Sequence, residues 1–582
     1  MPAEKAPAVI RTMLRLWKYL SDYRWRITSA VLLTVLSNWL ALLGPLLAGL
    51  AIDVIKPGAV DFRAVFWYCA WMTFFYAVSS AMNYFLVVQM VTVSQNTARK
   101  MRDDVFAKLL ELPVNFFDNH QTGEIISHIS YDIDTVNTSL SNDLLQISTS
   151  AVSVVGSLIM MLAISAPLAS VFLVTVPIGG IFIKYKSAQI HAYFRRRAMK
   201  LAEMNGFVEE ITSGQKTIKA YHQEETILSR FDECNEEAVT AYYDADYHSS
   251  ILGPAVNFVN NISLTLISVF GAILYLLGYL SIGSISSFVL YSRKFSAPIN
   301  EAANVISEIQ SAAAAADRVF RLIDEASETP DAPDASDIGH VEGLVEMSHV
   351  RFGYSAERPV LRDLSFKAEA GSLTAIVGHT GAGKTTVINL LMRFYDPQSG
   401  TITIDGRDIK GFTRRSLRRA FAMVLQESWL FCGTVFENIA YGGKNATKED
   451  VINAAKAAQA HGFIMNLPRG YETVLNEDGV NISKGQKQLI TIARAMLSDA
   501  HMLILDEATS NVDTRTELKI QEAMRALMKE KTCFVIAHRL STVRNADTIL
   551  VMDGGDVAER GTHENLLELG GVYASLYRSQ FG

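Results

Sequence analysis

The chain has 582 residues, 49% of them hydrophobic, and a formal net charge of −7. This length exceeds one ordinary hydrophobic core and predicts two or three domains. The acidic balance argues against a nucleic-acid partner, since nucleic-acid-binding domains usually carry a basic excess, and four widely spaced cysteines indicate neither a disulfide framework nor a metal-ligand pair.

Long windows without charged residues in the first half predict six membrane-spanning helices. Residues 27–52 and 64–98 each exceed the ~20 residues that cross a bilayer core, so each predicts one span. Residues 144–183 and 251–292 are about twice that length, so each predicts a helical hairpin. The predicted spans are residues 25–55, 62–98, 139–165, 167–190, 248–278 and 282–305.

The connections between these spans are of two kinds. Reversals inside the two hairpins are expected at residues 165–167 and 278–283, where proline and glycine occur. The polar segments 99–143 and 184–250 are too long for simple connectors, and their apolar spacing predicts helices that continue out of the membrane.

Basic residues predict the orientation. Arg99 and Lys100 follow the second span, and residues 195–197 are all arginine in the segment after the fourth. Positive charge marks the cytoplasmic side, so both polar segments and the whole second half should lie in the cytoplasm. We therefore expect a multi-pass protein of the cytoplasmic membrane.

The sixth predicted span carries two adjacent charges, Arg293 and Lys294, roughly 16 Å from its outer end by the helical rise. Charges at membrane depth usually face a cavity or a partner group. Two interpretations remain open: the pair attracts an anionic or amphipathic cargo, or it binds Glu301 or the carbonyl groups of neighbouring helices.

The domain division follows from these patterns. A helical transmembrane domain is predicted over residues 1–323, a linker with two prolines over residues 324–342, and a second domain, of soluble α/β type, over residues 343–582. The fold class is multi-domain: an all-α six-span transmembrane domain with long cytoplasmic extensions, followed by an α/β domain.

A glycine-rich loop carries the clearest chemical signal. The sequence GHTGAGKT at residues 378–385 follows an apolar strand-like run and precedes a helical pattern, which is the context of a phosphate-binding loop. Its backbone N–H groups and the following helix N-terminus can point at phosphate oxygens. The residues expected to bind nucleotide are Gly378, Thr380, Gly381, Gly383, Lys384, Thr385 and Thr386.

Phosphoryl transfer also needs a held metal and an oriented water. Lys384 is expected over the β- and γ-phosphates, and Thr385 is expected to ligate Mg²⁺. Asp506 ends the apolar run MLILD and is expected to hold the water shell of the metal, while Glu507 is placed to polarise the attacking water. These residues predict ATP hydrolysis with ATP and Mg²⁺ as ligands.

The order of these motifs resembles a half-transporter of the ATP-binding-cassette (ABC) exporter family over the whole chain. The resemblance implies that Tyr354 stacks on adenine, that Gln426 senses and ligates Mg²⁺, and that His538 contacts the γ-phosphate. It also implies a signature segment that binds nucleotide on the opposing cassette, a loop joining the two sites, and two coupling segments. The signature segment contains Ser483, Gly485 and Gln486, and the loop that joins the two sites contains Asp513. The two coupling segments are residues 116–130 and 209–221.

One departure from the family pattern matters. The usual signature is Leu-Ser-Gly-Gly-Gln, whereas this chain has Lys484 in place of the first glycine. A side chain there should perturb close approach to phosphate. The chain therefore resembles the catalytically intact half of heterodimeric bacterial multidrug exporters, and a heterodimer is favoured over a homodimer.

The resemblance implies ATP-driven export of a small amphipathic or hydrophobic substrate, such as a drug, lipid or peptide, by alternating access. A second half-transporter and membrane lipids are the expected partners. Two alternatives stay open: an importer with exporter-like architecture, which vesicle uptake would reveal, and an ATP-gated channel, which single-channel currents would reveal.

Overall fold

The computed structural model describes residues 5–56, 59–355, 358–426, 428–476, 481–506, 513–537 and 540–581. Its contacts group into two compact units. The first contains residues 1–110 and 121–326, and the second contains residues 111–120 and 327–582. Residues 111–120, which the sequence analysis assigned to the transmembrane domain, thus make their contacts with the second unit.

Helices from the N-terminus to residue 324 account for almost all of the first unit. A two-residue antiparallel pair, β1 (Ile55–Lys56) and β2 (Ala59–Val60), joins the first two long helices. The helices are α1 (Lys5–Ser21), α2 (Arg24–Asp53), α3 (Phe62–Glu111), α4 (Val114–Asn119, in the second unit), α5 (Thr122–Ser127), α6 (Ile133–Thr138), α7 (Leu144–Ile164), α8 (Ala166–Ala169), α9 (Val171–Ser213), α10 (Gln215–Tyr221), α11 (Glu224–Ser250), α12 (Leu252–Leu276) and α13 (Ile282–Asp324), with π-helical turns at His128–Asp132 and Ser139–Asp143.

Within the described residues, five helical stretches are long and apolar enough to cross a membrane. The sixth predicted span coincides with the first part of α13, which is long enough but is not among the five. Arg293, Lys294 and several serines lower the hydropathy of that part of α13. The five stretches are Arg24–Asp53, Phe62–Glu111, Thr122–Ile164, Ala166–Ser213 and Glu224–Leu276.

Helix interruptions occur at both predicted hairpin reversals and at one further glycine. Ser165 has an extended backbone (φ −163°, ψ 106°) and separates α7 from α8, one residue before Ala166-Pro167. Gly278 has a φ of 76°, a left-handed conformation that favours glycine, and lies between α12 and α13. Gly214 separates α9 from α10 in the second polar segment.

Side chains of α13 donate hydrogen bonds to backbone carbonyl groups of α2 near Pro45. Pro45 has no backbone N–H, so the carbonyl of Ala41 lacks its helical donor. Lys294 Nζ donates to that carbonyl at 3.1 Å, and Tyr291 Oη donates to the carbonyl of Leu42 at 2.5 Å. The interpretation that Lys294 binds a carbonyl group of a neighbouring helix is therefore confirmed.

The outer ends of the same two helices are also joined. Asp53, the last residue of α2, accepts hydrogen bonds from the Ser281 hydroxyl at 2.6 Å and from the Gly283 backbone N–H at 2.7 Å. Gly49 and Gly283 allow this approach, because a Cβ on Gly283 would lie 2.0 Å from the Gly49 carbonyl oxygen. Helices α2 and α13 therefore pack backbone to backbone at this end.

The second unit is built on two sheets. A six-stranded sheet has the order β14-β13-β5-β12-β11-β8, and a four-stranded antiparallel sheet has the order β4-β3-β6-β7. The strands are β3 (Val345–Phe352), β4 (Leu361–Ala368), β5 (Leu373–Gly378), β6 (Ser399–Ile404), β7 (Arg407–Asp408), β8 (Phe421–Val424), β9 (Gly433–Thr434), β10 (Val474–Leu475), β11 (Met502–Asp506), β12 (Thr532–Ile536), β13 (Thr548–Asp553) and β14 (Asp556–Gly561).

Helices cover these sheets and bury two hydrophobic clusters against them. The helices are α14 (Lys384–Leu391), α15 (Arg414–Arg419), α16 (Val435–Ala440), α17 (Lys448–Ala457), α18 (His461–Met465), α19 (Lys484–Met496), α20 (Thr514–Met528), α21 (Leu540–Arg544), α22 (His563–Leu569) and α23 (Val572–Phe581), with 3-10 turns at Ile409–Gly411 and Gly470–Glu472. The α/β class predicted for this half of the chain is confirmed.

Buried arginines fasten the linker to the second unit. Arg414 is only 7% exposed, and its guanidinium donates to Asp331 and to Asp396 at 3.0 Å each. Arg393, also buried, donates to the same Asp396 at 3.0 Å. Charges taken out of water need such partners, because an uncompensated buried charge is strongly destabilising.

We expect Arg414→Ala to lower the free energy of unfolding of the second unit by about 3 kcal/mol, because Asp331 would lose its nearer counter-charge and Asp396 would lose one of its two guanidinium partners. Hydrogen exchange of the β5 and β12 amides in the full chain measures this change. Arg415→Ala is the matched control, since Arg415 is the neighbouring arginine and is exposed. Equal effects of the two substitutions would contradict a specific role for the Arg414 ion pairs.

Candidate nucleotide site

The glycine-rich loop connects β5 to α14 in the conformation that a phosphate cradle requires. Gly381 and Gly383 have φ values of 84° and 100°, which residues with a Cβ rarely adopt. Gly383 occupies the N-cap of α14 and has no side chain to cover the first backbone N–H groups of the helix. These N–H groups and the helix dipole therefore favour a negatively charged ligand at the loop.

Lys384 holds its charge at the centre of this loop. Its Nζ donates to the carbonyl oxygens of Gly378 at 2.7 Å and His379 at 3.1 Å. Burial lowers the pKa of the Lys384 ammonium, and the negative charge of Asp506 opposes that shift. A triphosphate at the loop would add more negative charge and favour the protonated amine.

The parallel pairing of three strands brings the acidic residue to the loop. Strand β12 lies between β5 and β11, and the register aligns Asp506 with Ile536 and Ile536 with Ile376. Asp506 therefore lies at the same carboxyl edge of the sheet as Gly378, where β5 ends. Ligands of open α/β sheets bind at this edge.

Gln426 follows the neighbouring strand at the same edge. Strand β8 pairs in parallel with β11, with Val424 opposite Leu505, and Gln426 follows two residues later in an exposed turn. The glycine-rich loop, Asp506 and Gln426 thus follow or end three strands, β5, β11 and β8, that run parallel to one another. Thr380 and Thr385 are also exposed, so their hydroxyls are open to a ligand.

Tyr354 is anchored to the loop helix by its hydroxyl. Its Oη lies 3.3 Å from the hydroxyl oxygen of Thr386 and accepts a hydrogen bond from the Asn389 amide at 3.1 Å. The side chain is nevertheless 48% exposed, which leaves ring surface for stacking. Thr386 is buried and contacts Tyr354, and its predicted contact with nucleotide stays a prediction.

A second tyrosine links this region to the first coupling segment. The Tyr395 ring packs edge-on against Tyr354, with centroids 5.1 Å apart, and its hydroxyl donates to Asp118 of α4. Neither Tyr395 nor Asn389 belongs to a motif that marks it in the sequence. Spacing gives no signal for Tyr395, since 277 residues separate it from Asp118.

The signature residues form a capped helix start. The Ser483 hydroxyl accepts from the Gln486 backbone N–H at 3.3 Å, and the Gln486 side chain accepts from the Ser483 N–H at 3.0 Å. This reciprocal capping box begins α19, which packs against α16, α17 and α20, whereas α14 packs against β5 and β12. Gly485 is buried in the first turn of α19.

The remaining predicted residues have separate positions. Asp513 is the N-cap of α20 and accepts from the Thr516 backbone N–H at 3.0 Å, a hydrogen bond that lowers the pKa of its carboxyl group. Glu507 and His538 lie outside the described residues. No cluster of three metal-ligating side chains occurs in the described part of the chain.

The geometry fits a nucleoside triphosphate with Mg²⁺, because the cradle supplies N–H groups and an ammonium for phosphate, and Asp506 supplies a carboxylate for the metal. Family comparison supports the same assignment. Residues 27–299 match the model of the ABC transporter transmembrane region, and residues 361–510 match that of the ABC transporter. The chain belongs to the ABC transporter family.

Individual relatives share most of its length. The chain is 42% identical to the Bacillus subtilis ABC transporter ATP-binding protein YfiC, over 99% of this chain and 95% of that protein. It is 42% identical to a Mycobacterium bovis fatty acid ABC transporter ATP-binding/permease protein, over 92% of this chain and 84% of that one. A lipid A-core flippase of Hahella chejuensis is 36% identical, with 84% of each chain covered.

A solved structure shares the fold of both halves. The structure of a bacterial Atm1-family ABC exporter with ATP bound matches with a TM-score of 0.79 and 30% identity, over 96% of this chain and 98% of that one. This ABC exporter is therefore a multi-pass protein of the cytoplasmic membrane that couples ATP hydrolysis to transport, with its ATPase domain in the cytoplasm.

We expect Tyr354→Ala to raise the Kd for ATP about tenfold, because stacking on a base contributes ~1–3 kcal/mol per ring. Tyr354→Phe keeps the ring and loses only the hydroxyl contacts with Thr386 and Asn389, so its Kd should stay close to that of the wild type. Equilibrium binding of a fluorescent ATP analogue measures both. Equal losses in the two variants would assign the effect to the hydroxyl instead of the ring.

Proposed function

We propose that this chain is one half of a dimeric exporter that moves a small amphipathic or hydrophobic substrate, such as a drug, lipid or peptide, out of the cytoplasm. The observation that carries this proposal is the preformed phosphate loop, with Lys384 and Asp506 at one sheet edge, on the same chain as at least five apolar helices of membrane-spanning length. The names of two relatives, a fatty acid transporter and a lipid A-core flippase, favour an amphipathic substrate.

Each site residue has a proposed part in hydrolysis. Lys384 and the N–H groups at the start of α14 bind and orient the phosphates, and Tyr354 positions the adenine. Mg²⁺, held by Thr385, Gln426 and Asp506, would neutralise charge that develops on the transferred phosphoryl group. Glu507 accepts a proton from the attacking water, and His538 contacts the γ-phosphate.

Coupling to the membrane uses helices that leave it. Segment α4 makes its contacts with the second unit through Asp118 and Tyr395, so it moves with that unit when nucleotide binds. Closure of two cassettes over ATP, against the signature segment of the partner, would then draw the cytoplasmic ends of the spans together. Hydrolysis would release them.

Uptake into inside-out membrane vesicles tests direction and energy source together. With ATP outside, an exporter accumulates its cargo in the vesicle lumen, and labelled fatty acid and lipid probes are the first to try. Accumulation only in right-side-out vesicles would indicate an importer.

The Glu507→Gln variant tests the proposed general base. It should bind ATP and stay closed while turnover falls by orders of magnitude, since water activation is lost. Near-normal hydrolysis by Glu507→Gln would remove Glu507 from the role of base.

We also propose that the partner is a different half-transporter. Lys484 occupies the first turn of α19, where its side chain is exposed and its backbone is helical, so the position does not require glycine for conformational reasons. The disturbance would come from the side chain itself, which lies where a partner's triphosphate must approach the helix start.

Turnover of the chain purified alone tests this pairing. A homodimer would carry Lys484 at both sites, so we expect low ATP hydrolysis, and Lys484→Gly should raise it about tenfold or more by reopening the approach to phosphate. Lys410→Gly, at another exposed lysine of the same unit, is the control. Normal hydrolysis by the unmodified chain alone, unchanged by Lys484→Gly, would contradict the heterodimer.

A further inference from the structure

The two adjacent charges in the sixth predicted span have different environments. Lys294 faces α2 and donates to the Ala41 carbonyl, so a protein group accounts for its charge. Arg293, the preceding residue, is exposed, and within the described part of the chain its guanidinium has no hydrogen bond, ion pair or ring contact. Lys294 is thus part of the packing between α2 and α13, whereas Arg293 is not.

Both residues lie deep in the membrane region. The contact between Lys294 and Ala41 places them at the level of Ala41, about 18 Å from the outer end of α2 by the helical rise. Arg293 lies about 16 Å from the start of α13, close to half of the ~30 Å hydrocarbon core. The matched transmembrane region extends to residue 299 and includes both.

An exposed guanidinium at that depth needs an anion or water. Lipid tails offer neither, and such residues in spanning helices face a water-filled path or a partner group. Glu301 is eight residues farther along α13, about 12 Å by the helical rise. Of the described residues one turn to either side of Arg293 on α13, the exposed ones, Leu290 and Ala297, are apolar.

We propose that Arg293 binds the anionic headgroup of an amphiphilic cargo in the transport path, while Leu290 and Ala297 contact its apolar part. This inference rests on the proposed export function and names its substrate class. A small hydrophilic anion would use only the charge, whereas an amphiphile matches both the cation and its apolar surroundings. Lys294 has no part in recognition, because its ammonium already binds α2.

The test uses the active dimeric transporter in nanodiscs of zwitterionic lipid, so that the bilayer itself supplies no anionic headgroup. Three probes share one tail and differ in headgroup: myristate, myristylphosphocholine and myristyltrimethylammonium. We expect myristate to stimulate ATP hydrolysis at the lowest concentration. Arg293→Gln should raise its half-maximal concentration about tenfold or more, as for loss of one charged hydrogen bond, and should leave the other two probes unchanged.

Three further variants make the result specific. Arg293→Lys keeps the charge and should keep the preference for myristate. Arg293→Met, a second neutral variant suited to an apolar surrounding, repeats the test should the glutamine variant fail to assemble. Arg195→Gln removes an exposed arginine of α9 far from the sixth span, and no probe should shift.

Several outcomes would overturn the inference. An equal shift for all three probes would make Arg293 a general packing residue. Loss of the dimer in both neutral variants, but not in Arg293→Lys, would assign its charge to a carboxylate of the partner subunit. Stimulation of ATP hydrolysis by myristate that Arg293→Gln leaves unchanged would overturn this inference but not the proposed amphipathic substrate. A wild type that hydrolyses ATP but responds to none of the probes would overturn the proposed amphipathic substrate and the inference with it.

Discussion

The parallel register of β5, β12 and β11 is the constraint on which the nucleotide site depends. It aligns the carboxyl ends of strands that are far apart in the chain, so that Gly378 and Asp506 reach one edge of the sheet. Because side chains at a strand end inherit the register of the strand, a slip of one residue would turn Asp506 to the opposite face. Loop conformation, lysine position and acidic partner all follow from this pairing.

The membrane region obeys a different constraint, which is that polar groups in hydrocarbon must find partners inside the protein. The break at Pro45 exposes a carbonyl on α2, and α13 supplies a lysine and a tyrosine hydroxyl for this stretch of backbone. At the outer end the roles are reversed, because Asp53 of α2 accepts a hydrogen bond from the backbone N–H of Gly283 at the start of α13. A proline in α2 is thus matched by polar side chains on α13.

The sequence alone predicts the features that neighbouring residues determine. These features are the charge-free windows, the glycine loop and the breaks at Ser165 and Gly278. Contacts between distant segments could not be read in this way: the carbonyl bound by Lys294 lies 253 residues away, and Tyr395 lies 277 residues from Asp118. Ser483 and Gln486 show a third case, because residues to which the family resemblance gives a nucleotide contact also form a helix cap. The role of Glu507 still rests on its position after Asp506, and the role of His538 rests on resemblance.

The grouping of residues 111–120 has a consequence for recombining such proteins. Glu111 accepts the Glu328 backbone N–H at 2.8 Å, and Asp118 binds Tyr395, so this decapeptide is shaped by the ATPase half although it is encoded inside the membrane half. A chimera cut only at the linker would pair it with a foreign surface. Transplanting the ATPase half together with residues 111–120 would keep both contacts, and natural exchange of domains between related genes faces the same requirement.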